Sequence, residues 1–194
     1  MRVWISTRNA HKVLEIAEIL GSEYEIASLL DLPEFPDVEE TGTTFQANAG
    51  LKARALWKLL REPVFADDSG LEVDALGGKP GIYSQRYSEP DPTPEKNIDK
   101  LLTALQGIPD ERRTARFRCA VVYIDHPGKE HLFEGSLEGR IAIERHGNGG
   151  FGYDPVFWLP EKNKSVAELD AEEKNAISHR GRAIAALKLF LTAK

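Results

Sequence analysis

The chain predicts an α/β protein with a mixed sheet, and three observations carry that expectation. Short apolar runs of strand length alternate with longer stretches whose apolar residues recur at helical spacing. Two long segments, Ala115 to Asp125 and His131 to Arg145, are separated only by a turn around His126–Lys129, which predicts an antiparallel hairpin. The chain has 194 residues, of which 41% are apolar and 29% charged, the profile of one globular domain large enough to bury a real core. A single domain over residues 1–194, divided into two lobes by a cleft, is the expected organisation.

RVWIS reads as the first strand, and the polar loop TRNAHK leads into a helix with Val13, Ile16, Ala17 and Leu20 on one face. Tyr24 to Leu29 is a second strand. A proline- and acid-rich loop, DLPEFPDVEETG, precedes a long helix from about Thr44 to Arg61, capped by Thr43 or Thr44 and striped by Phe45, Ala49, Leu56 and Leu59. VFAD and LEVDAL read as two short strands around DDSG, and GGKPG as a sharp turn. A surface loop, Ser88 to Pro94, is followed by the helix KNIDKLLTAL and then by the hairpin. GNGGFGYDP is a glycine-rich loop, VFWL a short strand, and Ser165 with Glu168 forms a capping box. DAEEKNAISHRG contains a short helix, with Gly181 providing the turn into a C-terminal helix, AIAALKLFL.

The net charge of −6 argues against a broad nucleic-acid footprint, which wants a basic stripe. Cys119 is the single cysteine, so neither an intrachain disulfide nor a cysteine-only metal cage is available. RVWIS is too short for a signal peptide, and no apolar run approaches a membrane span, so a cytoplasmic protein without a membrane partner is expected.

Five clusters bear groups able to do chemistry, and each also has an ordinary structural reading. Ser6 to Lys12 lies where a strand turns into a helix, a place that suits phosphate, though a plain helix cap reads the same way. Asn48 and Lys52 share a helix face downstream of Glu39 and Glu40, and solvated charge is the alternative. Asp67 and Asp68 are adjacent like charges that need a positive partner or a solvated turn. On a strand they point in opposite directions. One of them, together with a glutamate of the Glu39–Glu40 pair, makes an all-oxygen set suited to Mg²⁺ or Mn²⁺. Phe151 lies among glycines and serves either as a core anchor or, if exposed, as a platform for a base worth ~1–3 kcal/mol. Asp154 beside it can accept from ring N–H groups. Lys174, His179, Arg180 and Arg182 form a basic group beside Gly181, which a helix C-terminus also favours. Together the clusters form the inventory of a nucleoside triphosphate site.

Taken in order, STRNAHK, EETGTTF, NAGLKA, FADDSGL, GGKPGIYS, GGFGYDPVF and SHRG closely resemble the motifs of the inosine/xanthosine triphosphate pyrophosphatases, from Arg2 to the final helix. The resemblance implies an elongated mixed sheet with helices on its faces, two lobes around a cleft, and a homodimer. It also implies hydrolysis of dITP, ITP and XTP to the monophosphate and pyrophosphate with Mg²⁺, which removes deaminated purines from the precursor pool. Carried onto this sequence, Thr7, Arg8, Asn9, Ala10, His11 and Lys12 contact the triphosphate and Lys52 reaches phosphate. Glu40 and Asp68 hold the metal, Asp68 is the catalytic proton acceptor, and Ser69 touches substrate. Phe151, Gly152, Tyr153 and Asp154 hold the base, Lys174 binds substrate, and His179 with Arg180 reads the purine edge. Arg8 stands where many members have glycine, and Ala47 where many have glutamate. Readings from other classes are a pyrophosphatase for another modified nucleotide, a nucleotide sensor without chemistry, and an aspartyl-nucleophile phosphatase, which wants Asp-x-Asp where this chain has Asp-Asp.

Overall fold

The apolar run VWI becomes the core of β1 (Arg2–Ile5), and the computed structural model describes residues 2–193 in all. After it come α1 (Ala10–Leu20), β2 (Glu25–Ser28), α2 (Phe45–Leu60), β3 (Val64–Val73) and α3 (Pro94–Ala104). β4 (Thr114–Ile124), β5 (Glu130–Ile141), β6 (Phe157–Leu159), β7 (Lys164–Ser165), α4 (Ala171–Ile177) and α5 (His179–Thr192) complete the chain. The strands form a seven-stranded sheet in the order β2-β1-β3-β4-β5-β6-β7. β1 runs parallel to β2 and to β3, whereas β6 runs antiparallel to β5 and to β7. The sheet is therefore mixed, as the sequence predicts. No helix among the described residues is long and apolar enough to cross a membrane.

The chain divides into two compact units. The first takes the chain up to Asp68, Cys119–Gly135 and the residues from His179 onward; the second takes Ser69–Arg118 and Ser136–Ser178. The first unit has an apolar cluster on each face of its strands. On one face Val3, Ile5 and Phe65 pack with Ile16 and Leu20 of α1 and Ile184 and Leu187 of α5. On the other, Trp4, Val64 and Ala66 pack with Ala49, Ala53 and Leu56 of α2. Alternation along the first half of β3 thus sends odd-numbered side chains toward α1 and α5 and even-numbered ones toward α2. The second unit has its own core, where Leu71, Ile98, Leu101, Phe117, Val156 and Phe157 meet.

Four local expectations are corrected. VFAD and LEVDAL are one ten-residue strand, because Asp67 and Asp68 continue the ladder and do not turn it. Leu59 is 60% exposed and leaves the α2 stripe, which Ala53 joins beside Ala49 and Leu56. α3 starts earlier than Lys96, since Thr93 caps it by accepting the Lys96 N–H and Pro94 takes the first helical position, where a missing N–H costs nothing. Gly181 makes no turn. It lies inside α5, and the break between α4 and α5 is Ser178, which is extended at φ −65°, ψ 157°.

One glycine permits the start of α5 to approach the sheet. A Cβ on Gly135 would stand 2.1 Å from the His179 carbonyl oxygen and 2.9 Å from the Ala183 nitrogen. Both are backbone atoms, so nothing flexible can yield. Gly135→Ala is expected to destabilise the protein by about 1–3 kcal/mol, the usual range for overpacking, read as a lower midpoint in urea unfolding.

Candidate active site

The first unit gathers two charge networks on the two faces of one strand. Asp67 follows Phe65 on the odd-numbered face. Its Oδ2 accepts from Lys12 Nζ of α1 at 2.8 Å and, more distantly, from Arg180 Nε of α5 at 3.4 Å. Arg180 Nη1 donates in turn to Glu15 Oε2 at 2.5 Å. Asp67 is 1% exposed and Arg180 2%. Burial alone would favour the neutral acid, yet the charges of Lys12, Arg180 and Lys52 outweigh it and hold the Asp67 carboxyl well below the usual carboxylate range. The Arg180 guanidinium, although desolvated, is held in its charged form by Asp67 and Glu15.

Asp68 follows Ala66 on the other face and meets α2. Lys52 Nζ lies 2.9 Å from Glu40 Oε1 and 3.0 Å from Asp68 Oδ1, so one ammonium is shared by the two carboxylates. Asn48, one turn before Lys52, donates from Nδ2 to Asp68 Oδ2 at 3.4 Å and accepts the Gly42 N–H at Oδ1, at 2.8 Å. Burial raises the Asp68 carboxyl above its ordinary value, and the Glu40 charge adds to this against the pull of Lys52. Burial works against charging Lys52, but Asp68, Asp67 and Glu40 together lift it above the ordinary lysine range. Adjacent carboxylates are thereby given opposite properties by the pleat. Asp67 is a fixed charge and Asp68 a better base than a free aspartate.

The donor set around Asp68 suits a hard divalent cation. Two carboxylates face one ammonium, leaving a formal negative charge, and an ammonium already occupies the place where both acids point. Every ligating atom is oxygen, as Mg²⁺ and Mn²⁺ prefer, and Mg²⁺ usually takes only one or two carboxylates beside phosphate and water. No cluster of three or more acidic, histidine or cysteine side chains fit for a metal occurs among the described residues.

The loop before α1 is bound up internally. Asn9 caps the helix by accepting the N–H groups of His11 and Lys12, and Thr7 Oγ1 accepts the Asn9 N–H. Ala10 and His11 are exposed. Arg8 donates to the carbonyls of Leu29 at 3.1 Å and of Phe35, and pairs with Asp37 at 3.4 Å, so it fastens the segment that leads to Glu40. Of the two glutamates, Glu39 is exposed and Glu40 partly buried against Lys52. Ala47 is a helix residue whose N–H is capped by Thr44.

The second unit holds the aromatic cluster. Phe151 is partly exposed, with Lys174 Nζ 4.6 Å from its ring centroid. The buried Asp154 accepts the Phe151 N–H at 2.8 Å and Lys174 Nζ at 2.9 Å through the same oxygen. Gly150 at φ +69° makes this possible, because a Cβ there would stand 2.2 Å from that oxygen. Gly152 also has positive φ, with open space where a Cβ would project. The Tyr153 side chain belongs to the core and donates its hydroxyl to the Ser84 carbonyl at 2.8 Å. Ser69 is partly exposed on β3. His179 opens α5 and is buried.

A model of the Ham1 family matches residues 3–190. The chain belongs to the Ham1 family. It is 53% identical over 185 residues to a dITP/XTP pyrophosphatase of Geobacillus kaustophilus, an alignment covering 94% of this chain and 90% of that relative. A HAM1 protein from Coxiella burnetii superposes with a TM-score of 0.90 at 39% identity, covering 100% of both chains. A Mycobacterium abscessus structure described as a nucleoside-triphosphatase / dITP/XTP pyrophosphatase superposes at 0.78, with 44% identity over 96% of this chain and 98% of the other.

Sequence reasoning places Lys52 beside Asn48 and an acid, and the structure joins all three. It misses Asn48 as the partner of Asp68, Gly42 as the partner of Asn48, and Glu15 as the partner of Arg180. Asn48 shows only as a polar residue on the Lys52 face, and Glu15 carries no local signal at all.

The depressed carboxyl of Asp67 gives a testable acid limb. Its contribution is complete above the unfolded-state value, about pH 4, and is lost as pH falls from there toward its lower native value. Asp67→Asn should cost about 3–5 kcal/mol near neutrality by leaving two buried cations underpaired, and should flatten this part of the stability–pH curve in denaturant titrations.

Proposed function

We propose that this Ham1-family protein hydrolyses deaminated purine nucleoside triphosphates, dITP, ITP and XTP, to the monophosphate and pyrophosphate with Mg²⁺, for which Mn²⁺ substitutes. The observation that carries the reading is the Glu40–Lys52–Asp68 group, where two acids converge on one cation beside a buried, charge-balanced Asp67. The relatives' names supply the substrate class. Clearing such nucleotides keeps them out of DNA and RNA.

Glu40 and Asp68 are assigned to the metal, which when bound neutralises phosphate charge and makes water more acidic. Water attacks the α-phosphorus, the bond to the pyrophosphate oxygen breaks, and Asp68 takes the water's proton. Because that water is made more acidic, Asp68 accepts a proton already loosened. Lys52, Lys12 and the Thr7–Lys12 loop at the positive end of α1 are assigned to the phosphates, where positioning and charge supply most of the catalysis. Ser69 and Lys174 are assigned to substrate and Phe151–Asp154 to the base. Lys174 and Asp154 support this by bracing the Phe151 ring. His179 and Arg180 are assigned to the purine edge. A carbonyl at the six-position accepts from them, whereas adenine's amino group would leave donor facing donor at about 1–3 kcal/mol. Asp67 and Glu15 hold the Arg180 donors in fixed directions. A cytoplasmic homodimer is proposed on the same resemblance, and sedimentation would read its mass.

A panel of dITP, ITP, XTP, ATP, dUTP and methylated dTTP, with and without Mg²⁺, tests the assignment. Expected are pyrophosphate from the first three and Mg²⁺ dependence; orthophosphate as product, or ATP turnover equal to ITP, overturns it. Asp68→Asn should lower kcat by at least about 10²–10⁴-fold while ITP binding by calorimetry largely survives. Near-normal turnover would remove Asp68 from its role.

A further inference from the structure

We propose that Asn48 is a positioning residue for the cation site formed by Glu40 and Asp68. Its carboxamide ties the segment carrying Glu40 to the Asp68 carboxylate, and so fixes the spacing at which the two acids face a shared cation. The inference rests on the metal assignment made above for Glu40 and Asp68.

Asn48 is fully buried, and both ends of its amide are used. Its oxygen accepts the Gly42 N–H at 2.8 Å, and only an amide nitrogen on the other end can then donate to Asp68 Oδ2. No other residue type does both at this length. Aspartate offers no donor, and leucine fills the volume but strands the Gly42 N–H, a buried donor whose loss is costly. Lys52, one turn along α2, makes the parallel link from Glu40 to Asp68. That link is a charge contact, which an incoming cation would compete for. The Asn48 donor is uncharged, so a cation does not repel it as it repels the ammonium.

Gly42 is matched to this role. A Cβ there would stand 2.6 Å from Asn48 Oδ1 and 2.7 Å from the Ala47 Cβ, so glycine is required for closeness to the amide. Upstream, Arg8 fastens the same segment through the Leu29 and Phe35 carbonyls and Asp37. Glu40 therefore lies between two anchors, Arg8 before it and Asn48 after it.

The test is Mn²⁺ binding to the full-length, nucleotide-free protein by calorimetry and by electron paramagnetic resonance. The proteins are wild type, Asn48→Ala, Gly42→Ala and the double variant, each checked for folding by circular dichroism and melting temperature. Each single variant is expected to lose about 10- to 100-fold in Mn²⁺ affinity, as when a ligand's supporting partner is removed. The double variant should lose no more than the worse single one, because both changes break one link. Gly42→Ala leaves the Asn48 side chain intact, so it stands in if Asn48→Ala does not fold. Wild-type Mn²⁺ affinity in a folded single variant, losses that multiply in the double variant, or no Mn²⁺ binding by the wild type would each overturn the proposal. Intact Mn²⁺ binding with no nucleotide hydrolysis would instead sink the functional reading and leave this one standing.

Discussion

The pleat of β3 at Asp67 and Asp68 is the constraint on which the first unit depends. Two neighbouring carboxylates taken out of water are tolerable only if each finds its own cations, since an unpaired buried charge costs several kcal/mol. A strand separates them, with one side chain toward α1 and α5 and the other toward α2. Lys12 and Arg180 answer the first, and Lys52 with Asn48 answers the second. The helices are thus docked by charge as well as by their apolar faces, and three distant stretches of chain are brought to the middle of one strand. The same separation sets the chemistry apart. A carboxylate surrounded by two cations is locked as an anion, while its neighbour, sharing a single ammonium with another acid, is held above the ordinary carboxylate value by burial.

Much of this was legible in one dimension where period and punctuation suffice. The helical spacing of Ile16 and Leu20, the alternation through Ala115–Asp125, and the Ser165–Glu168 box all appear as the patterns indicate. Asn9 shows why the phosphate loop and the helix cap could not be separated beforehand, because one side chain satisfies the description of both. What escaped reading was long-range or depended on side-chain direction. β3 looked like two strands because Asp, Ser and Gly are usual turn formers, and only its buried partners on both faces override that local preference. Gly181 looked like a turn and is an ordinary helical residue, whereas the glycine that the start of α5 requires is Gly135 on β5. The engagement of Arg8 with carbonyls 21 and 27 positions away likewise has no local signal.

The second unit solves a different problem, that of keeping a partly exposed aromatic ring in one orientation on a glycine-rich loop. Gly150 lets the Asp154 carboxylate tuck beneath the backbone, where one oxygen holds both the Phe151 N–H and the Lys174 ammonium. The ammonium then lies over the ring, a contact worth roughly 0.5–2 kcal/mol depending on desolvation. A loop that glycine would leave loose is tied by one buried anion, and Tyr153 secures its other side in the core.

The two-residue period of β3 also limits how this gene can vary. A single codon gained or lost between Phe65 and Asp68 would rotate every later side chain on the strand to the opposite face. The acid meant for α2 would then meet α1 and α5, and the strand beyond it, which continues as far as Val73, would turn its apolar residues outward. Point substitutions here trade one contact for another, but a length change exchanges whole surfaces. Drift in this stretch should therefore proceed by replacement alone, with insertions and deletions confined to the loops.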